Sequence, residues 1–383
     1  MALPVEPAPA SFDVPMSVPF RHRVLFTRGA FAAPGALLRS LLAGGPERGR
    51  AVAFVDDGVL AARPGLEAEV RAALARDQSL PELAELVPVP GGERAKQDMD
   101  TADAVVEAVD RHRIDRQSYV LAIGGGAVLD AVGFGAAIAH RGVRLVRFPT
   151  TTLGQGDAGM AVKNGVNRFG KKNFVGAFAV PHAVVCDEDF LTTSPEWSWC
   201  GGFSEAVKIA LLRDAGLFAA MERDAAAIRA RDMSAAMPVI RRSAELHWRH
   251  IALGGDPFET RSARPLDYGH WLAHRLEGLT KGELPHGQAV AIGVAVDTAY
   301  SVHAGLMAPA DAHRVIALLR ALGLPTSHEL LRDHASVLRG VEEFREHLGG
   351  RLTITLLRGI GDPVDVHQLD GARLADAVAM AAG

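Results

Sequence analysis

The first half of the chain alternates short apolar runs with stretches of helical period. Arg23–Phe26 and Ala51–Val55 read as β runs, the second ending at the acidic pair Asp56 and Asp57. A helix is expected at Leu66–Arg76, a strand near Leu86–Pro90, a helix at Lys96–Arg113, a strand at Tyr119–Ile123, a helix at Val128–His140 and a strand at Arg144–Phe148. Strands that alternate with helices predict a mostly parallel, doubly wound sheet. From about Leu191 the pattern changes to Ala-, Leu- and Arg-rich segments of helical period, among them Phe203–Leu212, Ala235–Ile251, His270–Glu277 and Gly287–His303. The expected architecture is an α/β domain over residues 1–187 and a mainly α-helical domain over 188–383. The boundary falls after the apolar strand Ala183–Cys186 and before the turn at Ser194 and Pro195.

Bulk properties narrow the classes without choosing one. At 383 residues the chain exceeds the roughly 250 to 300 residues at which single cores stop growing, so two domains fit. A net charge of −4 with signs interspersed excludes a broad basic footprint for nucleic acid. Cys186 and Cys200 are too few and too irregularly placed for a disulfide framework or a thiolate metal site, and read as two buried apolar thiols. Met1–Ala10 carries no basic residue and no continuous apolar stretch, unlike a secretory signal, and no segment approaches the apolar length of a membrane span. A soluble, cytoplasmic protein is expected.

Four sets of residues carry candidate chemistry. Tyr119–Asp130 is an apolar strand running into Gly124, Gly125 and Gly126 and then a helix, which lets backbone N–H groups approach a pyrophosphate at a positive helix end. Gly91–Lys96 adds a carboxylate, Glu93, and an ammonium, Lys96, near the same sheet edge. Arg141, Asp157, Lys163, Lys172 and Asn173 gather cations and hydrogen-bond donors around turns, where phosphate is the natural guest. Glu205 and Lys208 share one helical face, and His270 and His274 share another, with His286 just ahead of an apolar helix. One carboxylate with two of these three histidines can make a catalytic zinc site with an open position, although spacing does not say which two. Each set also has a plainer reading: a tight turn, a helix cap at Glu93, solvated charges at Lys171 and Lys172, and a surface ion pair.

Together the motifs resemble the dehydroquinate-synthase family of sugar-phosphate cyclases, from about Val24 to Gly361. The resemblance is carried, in the family's order, by Gly92-Glu93-x-x-Lys96, Gly124-Gly-Gly-x-x-x-Asp130, Arg141-Gly-Val-Arg with Thr150 and Thr151, Lys163 with Lys172-Asn173, Glu205-x-x-Lys208, and Gly269-His270-x-x-x-His274 with His286-Gly. It implies a Rossmann-like NAD-binding domain followed by a helical metal-binding domain. It places zinc, or cobalt, on Glu205, His270 and His286. It assigns NAD contacts to Asp56, Glu93, Lys96, Gly124, Gly125, Gly126, Asp130, Thr150, Thr151, Lys172 and Thr193. Substrate and phosphate contacts fall on Asp157, Lys163, Asn173, Lys208, His274 and Arg141, the last reaching across from the partner subunit of a homodimer. The implied reaction is NAD-mediated transient oxidation, phosphate elimination, re-reduction and intramolecular aldol closure.

Two departures from the parent enzyme bear on substrate. Asp267 stands where dehydroquinate synthase carries Asn, within a motif whose Arg is displaced to Arg264, and the parent's late Asp-Lys-Lys is replaced by Phe344–Gly350. An added negative charge within several Å opposes a substrate carboxylate by roughly 1 to 4 kcal/mol. The replacements resemble those of cyclases acting on sedoheptulose 7-phosphate, and retention of His274 points to a 2-epi-valiolone-type product. The rival expectations are dehydroquinate synthase itself, an NAD- and metal-dependent alcohol or glycerol dehydrogenase, and a non-catalytic relative.

Overall fold

The computed structural model describes residues 12–32, 35–43, 48–258, 266–347 and 352–383. Met1–Ala10 and Arg264 lie outside the described residues, as do the last residues of Phe344–Gly350. Strand β1 (Val24–Thr27) precedes α1 (Ala36–Leu42), and β2 (Arg50–Asp56) runs into α2 (Asp57–Ala62) and α3 (Leu66–Ala75). There follow β3 (Glu82–Val89), α4 (Asp100–Arg111), β4 (Tyr119–Gly124), α5 (Gly126–Ile138) and β5 (Arg144–Pro149). The short α6 (Thr152–Gly156), the strands β6 (Lys163–Arg168) and β7 (Lys171–Phe178), and β8 (Ala183–Asp187) complete this half.

Six of these strands form one parallel sheet in the order β1-β8-β5-β4-β2-β3. Its central strands read as continuous apolar runs because helices cover both faces. Along β2, Ala51, Ala53 and Val55 enter one core layer, while Val52 and Phe54 enter the other. The expected helix at Lys96–Arg113 begins later, after a 3-10 turn at Gly92–Lys96. The Asp98 carboxylate accepts from the Asp100 N–H at 3.0 Å and holds the chain in a turn before α4. The sequence pattern did not announce the antiparallel β6–β7 hairpin, because β7 exposes nearly every side chain and lacks the apolar alternation of a half-buried strand.

The second half packs α7 (Glu196–Arg213), α8 (Ala215–Arg229), α9 (Met233–Leu253), α10 (His270–Leu279), α11 (His286–His303), α12 (Pro309–Ala321), α13 (His334–His347) and α14 (Gly371–Ala382) around one core that includes Trp199, Phe203 and Trp271. A hairpin, β9 (Ile354–Gly359) with β10 (Asp362–Val366), lies among them. Among the described residues no helix is long and apolar enough to cross a membrane. Cys186 and Cys200 are both free and buried, as expected.

The halves meet where β5 ends. The Thr152 hydroxyl lies 2.9 and 2.8 Å from the Ser198 and Trp199 carbonyls of α7 and accepts from the Gly202 N–H at 3.2 Å. A Cβ on Gly202 would sit 2.3 Å from the Thr152 carbonyl carbon, so only glycine lets α7 approach this closely. That contact brings the Asp157 loop beside Glu205.

Candidate active site

The winding of the sheet reverses between β2 and β4, since the chain passes from β2 out to β3 and then back across to β4. Ligands of open α/β sheets bind outside the carboxyl ends of the strands at such a reversal. Asp56, Gly91 and Gly124–Gly126 all lie there. A Cβ at Gly91 would fall 2.3 Å from Asp56 Oδ1, and one at Gly125 would fall 3.3 Å from Thr151 Cγ2. The crevice is thus shaped by missing side chains, and the bare N-terminus of α5 opens into it. Asp56 accepts from the Gly58 and Val59 N–H groups. Lys96, buried, pairs with Asp130 at 2.6 Å, and Thr151 caps α6 through the Gly154 N–H. This cradle fits the pyrophosphate and ribose of a dinucleotide.

Across the junction, two glycine contacts assemble a second cluster. A Cβ on Gly287 would lie 2.2 Å from the Gly201 carbonyl oxygen, so α11 crosses α7 at backbone contact and His286 arrives beside Glu205. Gly269, at φ 76°, turns the chain into α10, and Gly293 leaves room for its carbonyl. His270 follows directly. Asp297 of α11 fixes the turn, accepting from the Gly269 N–H and from Trp271 Nε1, both at 2.8 Å.

The resulting geometry is specific. Glu205 Oε1 lies 3.4 Å from His270 Nε2 and 3.3 Å from His286 Nε2. His270 Nδ1 donates to the Tyr268 carbonyl at 3.1 Å, and His286 Nδ1 faces Glu277 Oε1 at 3.2 Å. Both rings therefore turn their Nε2 atoms inward, each oriented through its other nitrogen as metal-bound histidines are. Tetrahedral ligands at zinc bond lengths stand about 3.3 Å apart, which these separations match. Three such side chains on one zinc would leave its fourth position open.

Electrostatics tie the two sites together. Lys172 on β7 reaches Glu277 at 2.8 Å and Glu93 at 3.7 Å, so a run of charges passes from Glu93 through Lys172 and Glu277 to His286 and Glu205. Lys208 then pairs with Glu205 at 2.5 Å, both side chains nearly inaccessible, so this is a buried pair and not the surface one its spacing allowed. Burial disfavours charge on Glu205, but Lys208 and His270 outweigh it and hold the carboxyl well below its usual range. Burial likewise opposes charge on His286, yet Glu277 and Glu205 push it up to about 10. Glu277 is lowered against its burial by His286 and Lys172.

Most of the residues singled out in sequence converge here. Asp157 and Asp267 both contribute to holding Lys208 protonated, against the desolvation it suffers. His274 stands one turn beyond His270, its ring 5.6 Å from that of His270 and 6.4 Å from that of His286. Lys163 and Asn173 sit on the β6–β7 hairpin that carries Lys172. Thr150 continues from β5 beside Gly124, whereas Thr193 is exposed beyond the end of β8. Arg141 is not brought to the cluster within one chain: it precedes β5, at the amino-terminal end of an interior strand, whereas the site lies beyond the carboxyl ends. Three residues escaped the sequence reading. Glu277 and Asp297 support the two imidazoles, and buried His247 lies 3.3 Å from Asp157. Glu277, at helical spacing from His270 and His274, was the one with a visible signal.

A parallel α/β half with a glycine-lined crevice, joined to a helical half bearing a Glu/His/His set, is the arrangement of a two-domain α/β and helical class with room for a dinucleotide and donors for a metal. The chain matches the families described as 3-dehydroquinate synthase N-terminal, over residues 86–200, and 3-dehydroquinate synthase C-terminal, over residues 202–342. It is 36% identical over 321 residues to the 3-dehydroquinate synthase of Halorhodospira halophila, covering 81% of this chain and 89% of that protein. The structure of the 2-epi-5-epi-valiolone synthase of Streptomyces hygroscopicus, with NAD⁺ and Zn²⁺ bound, superposes with a TM-score of 0.86 at 30% identity, covering 97% of this chain and 99% of that one. A 2-deoxy-scyllo-inosose synthase complexed with NAD⁺ and Co²⁺ shares the fold at 22% identity and a TM-score of 0.76, covering 93% of this chain and 95% of that one. The chain belongs to the dehydroquinate-synthase-like family of sugar-phosphate cyclases.

Proposed function

We propose that this chain holds NAD in the crevice between β2 and β4 and a divalent metal on Glu205, His270 and His286, and cyclises a seven-carbon keto sugar phosphate with loss of phosphate. The observation that carries the reading is the convergence of Glu205 Oε1 with two inward-turned imidazole Nε2 atoms within 4.8 Å of one another. When bound, NAD would accept and return a hydride, and zinc or cobalt would hold and acidify the hydroxyl being oxidised.

The chain's own residues orient and screen. Lys208 neutralises Glu205 and faces Asp157, so the reacting ring meets a fixed ammonium and not mobile water. Lys163, Lys172 and Asn173 on the hairpin, with His274, hold the phosphate. Their task is positioning, since the leaving phosphate can serve as its own base. Arg141 enters from the partner subunit of a homodimer, a reading supported by its place at the amino-terminal end of β5, away from the cluster within one chain.

On substrate, the balance of support lies with 3-dehydroquinate synthase chemistry on the carboxylated 3-deoxy sugar phosphate, the name carried by relatives 36% identical over 81% of the chain. It displaces sedoheptulose 7-phosphate from first place. That second reading is retained for one observation: Asp267 adds a carboxylate close enough to act on Lys208, where a substrate carboxylate would be opposed. Incubating the metal- and NAD-loaded protein with each sugar phosphate decides the matter. Phosphate release without net NADH is expected, and NMR of the carbocycle names the product. Net NADH without phosphate release would place the chain with simple alcohol dehydrogenases instead.

A further inference from the structure

Glu205 is shared by two groups of side chains. On one side stand His270 and His286; on the other, Asp157 and His247 bring potential ligand atoms within 4.8 Å. The second group has its cation already, because Lys208 Nζ lies 2.5 Å from Glu205 Oε2. It is a polar wall beside the same carboxylate and not a second metal centre.

His247 is the unusual member. It is 1% exposed and projects from α9, where its Nδ1 donates to the Ser243 carbonyl one turn earlier at 2.9 Å. Ser243 Oγ donates in turn to the Gly156 carbonyl at 3.0 Å, which locks α9 against the residue before Asp157. The ring is thus held from its back. Its front atom, Nε2, approaches Asp157 Oδ1 at 3.3 Å without hydrogen-bonding geometry, and has no hydrogen-bond partner among the described residues. A buried polar atom left unpaired costs roughly 1–3 kcal/mol, so a purely structural imidazole would be satisfied at both nitrogens. An anchored ring whose unbonded nitrogen stands beside the Asp157 and Glu205 carboxylates is built to receive something.

We propose that His247 Nε2 hydrogen-bonds a substrate hydroxyl adjacent to the one oxidised, with Asp157 and Lys208 completing a subsite for a polyhydroxylated chain. The inference rests on the cyclase reading. The wall offers this neighbouring position one imidazole nitrogen, one carboxylate and one ammonium, a set that recognises a hydroxyl better than a methylene. His247 therefore selects sugars hydroxylated at both carbons.

The test compares His247→Gln, whose amide reaches the place of Nε2, with His247→Asn, whose amide reaches only the place of Nδ1. Both are loaded with metal and NAD, and thermal melting and metal content report on folding. With whichever of the two sugar phosphates the wild type turns over, Asn is expected to lower kcat/KM about tenfold or more and Gln by less than about threefold, at one metal per chain in every form. Equal activity in both variants, equal loss in both, or a second metal in the wild type would overturn the inference. The unmutated chain gives an independent check. Deleting the hydroxyl beside the oxidised carbon should cost the wild type about tenfold in kcat/KM and the Asn variant less than about threefold, and equal penalties would sink the proposal. Failure of the wild type to release phosphate from either sugar phosphate is a different result: it rejects the cyclase reading, and this inference with it.

Discussion

The two halves of the molecule build their sites by opposite means. The sheet half makes its crevice from absent side chains, with Gly91 and Gly124–Gly126 clearing space at the ends of adjacent strands and backbone N–H groups facing it. The helical half makes its site from buried charge, with Glu205, Lys208, Glu277 and Asp297 each at 1% to 3% exposure. Missing atoms cost little once the sheet is formed. Buried ions cost several kcal/mol each unless every partner is in place, so the helical site is the fragile one.

The largest expected effect comes from breaking that balance at its centre. Glu205→Gln removes a carboxylate of the proposed metal set and leaves Lys208 with Asp157 as its main remaining counter-charge. Loss of stoichiometric metal and a destabilisation of roughly 3–5 kcal/mol are expected, read by metal analysis and urea unfolding, with NAD affinity unchanged. A variant that lost metal yet unfolded like the wild type would show that Lys208 does not depend on Glu205, and the contrast between the halves would weaken.

The same contrast explains what could be read from the chain beforehand. The sheet half announced itself because strand, glycines and helix are contiguous from Tyr119 to Ile138, and because apolar runs mark parallel strands. One carboxylate and three histidines were legible from residue type, but only family order chose Glu205, His270 and His286, since Glu205 and His286 are joined by a helix crossing at Gly201 and Gly287 that no local pattern reveals. Asp297 and His247, and Glu277 despite its spacing from His270 and His274, went unassigned for a further reason. A carboxylate or imidazole on a helix usually faces solvent, and only the packed structure shows these three turned inward. The β6–β7 hairpin was missed because its exposed face carries no alternation, although it supplies Lys172.

A paired experiment sharpens the comparison further. Glu277→Gln removes the carboxylate that orients His286 and anchors Lys172, and should weaken metal binding about 10–100-fold in competition with a chelator. Gly91→Ala places a methyl carbon 2.3 Å from Asp56 Oδ1, and should weaken NAD binding about tenfold, or about 1.4 kcal/mol, by titration calorimetry. Each variant should leave the other ligand's affinity within about twofold. Crossed effects would show that the Glu93–Lys172–Glu277 run couples the sites energetically and does more than connect them in space.

The most gradual effect, spread over several pH units, is expected where a buried charge is only partly compensated. Asp297 is pushed up to about 7 by burial, which outweighs the hydrogen bonds from Trp271 and Gly269 and the nearby His270. Its folded pKa is raised above the unfolded value, so the stability it contributes is fully present below about pH 4 and is lost as pH rises through 7. Asp297→Asn does not titrate, and the acceptor it withdraws from Gly269 or Trp271 shifts its stability by an amount independent of pH. The stability of the wild type relative to this variant should therefore fall from pH 4 to pH 7, by no more than about 1.4 kcal/mol per pH unit, in urea unfolding at matched ionic strength. A flat difference over that range would mean that the two donors compensate the ionised carboxylate fully. Asp297 would then belong with Glu205 and Glu277 as a charge paired in full, and the turn that delivers His270 would be insensitive to pH.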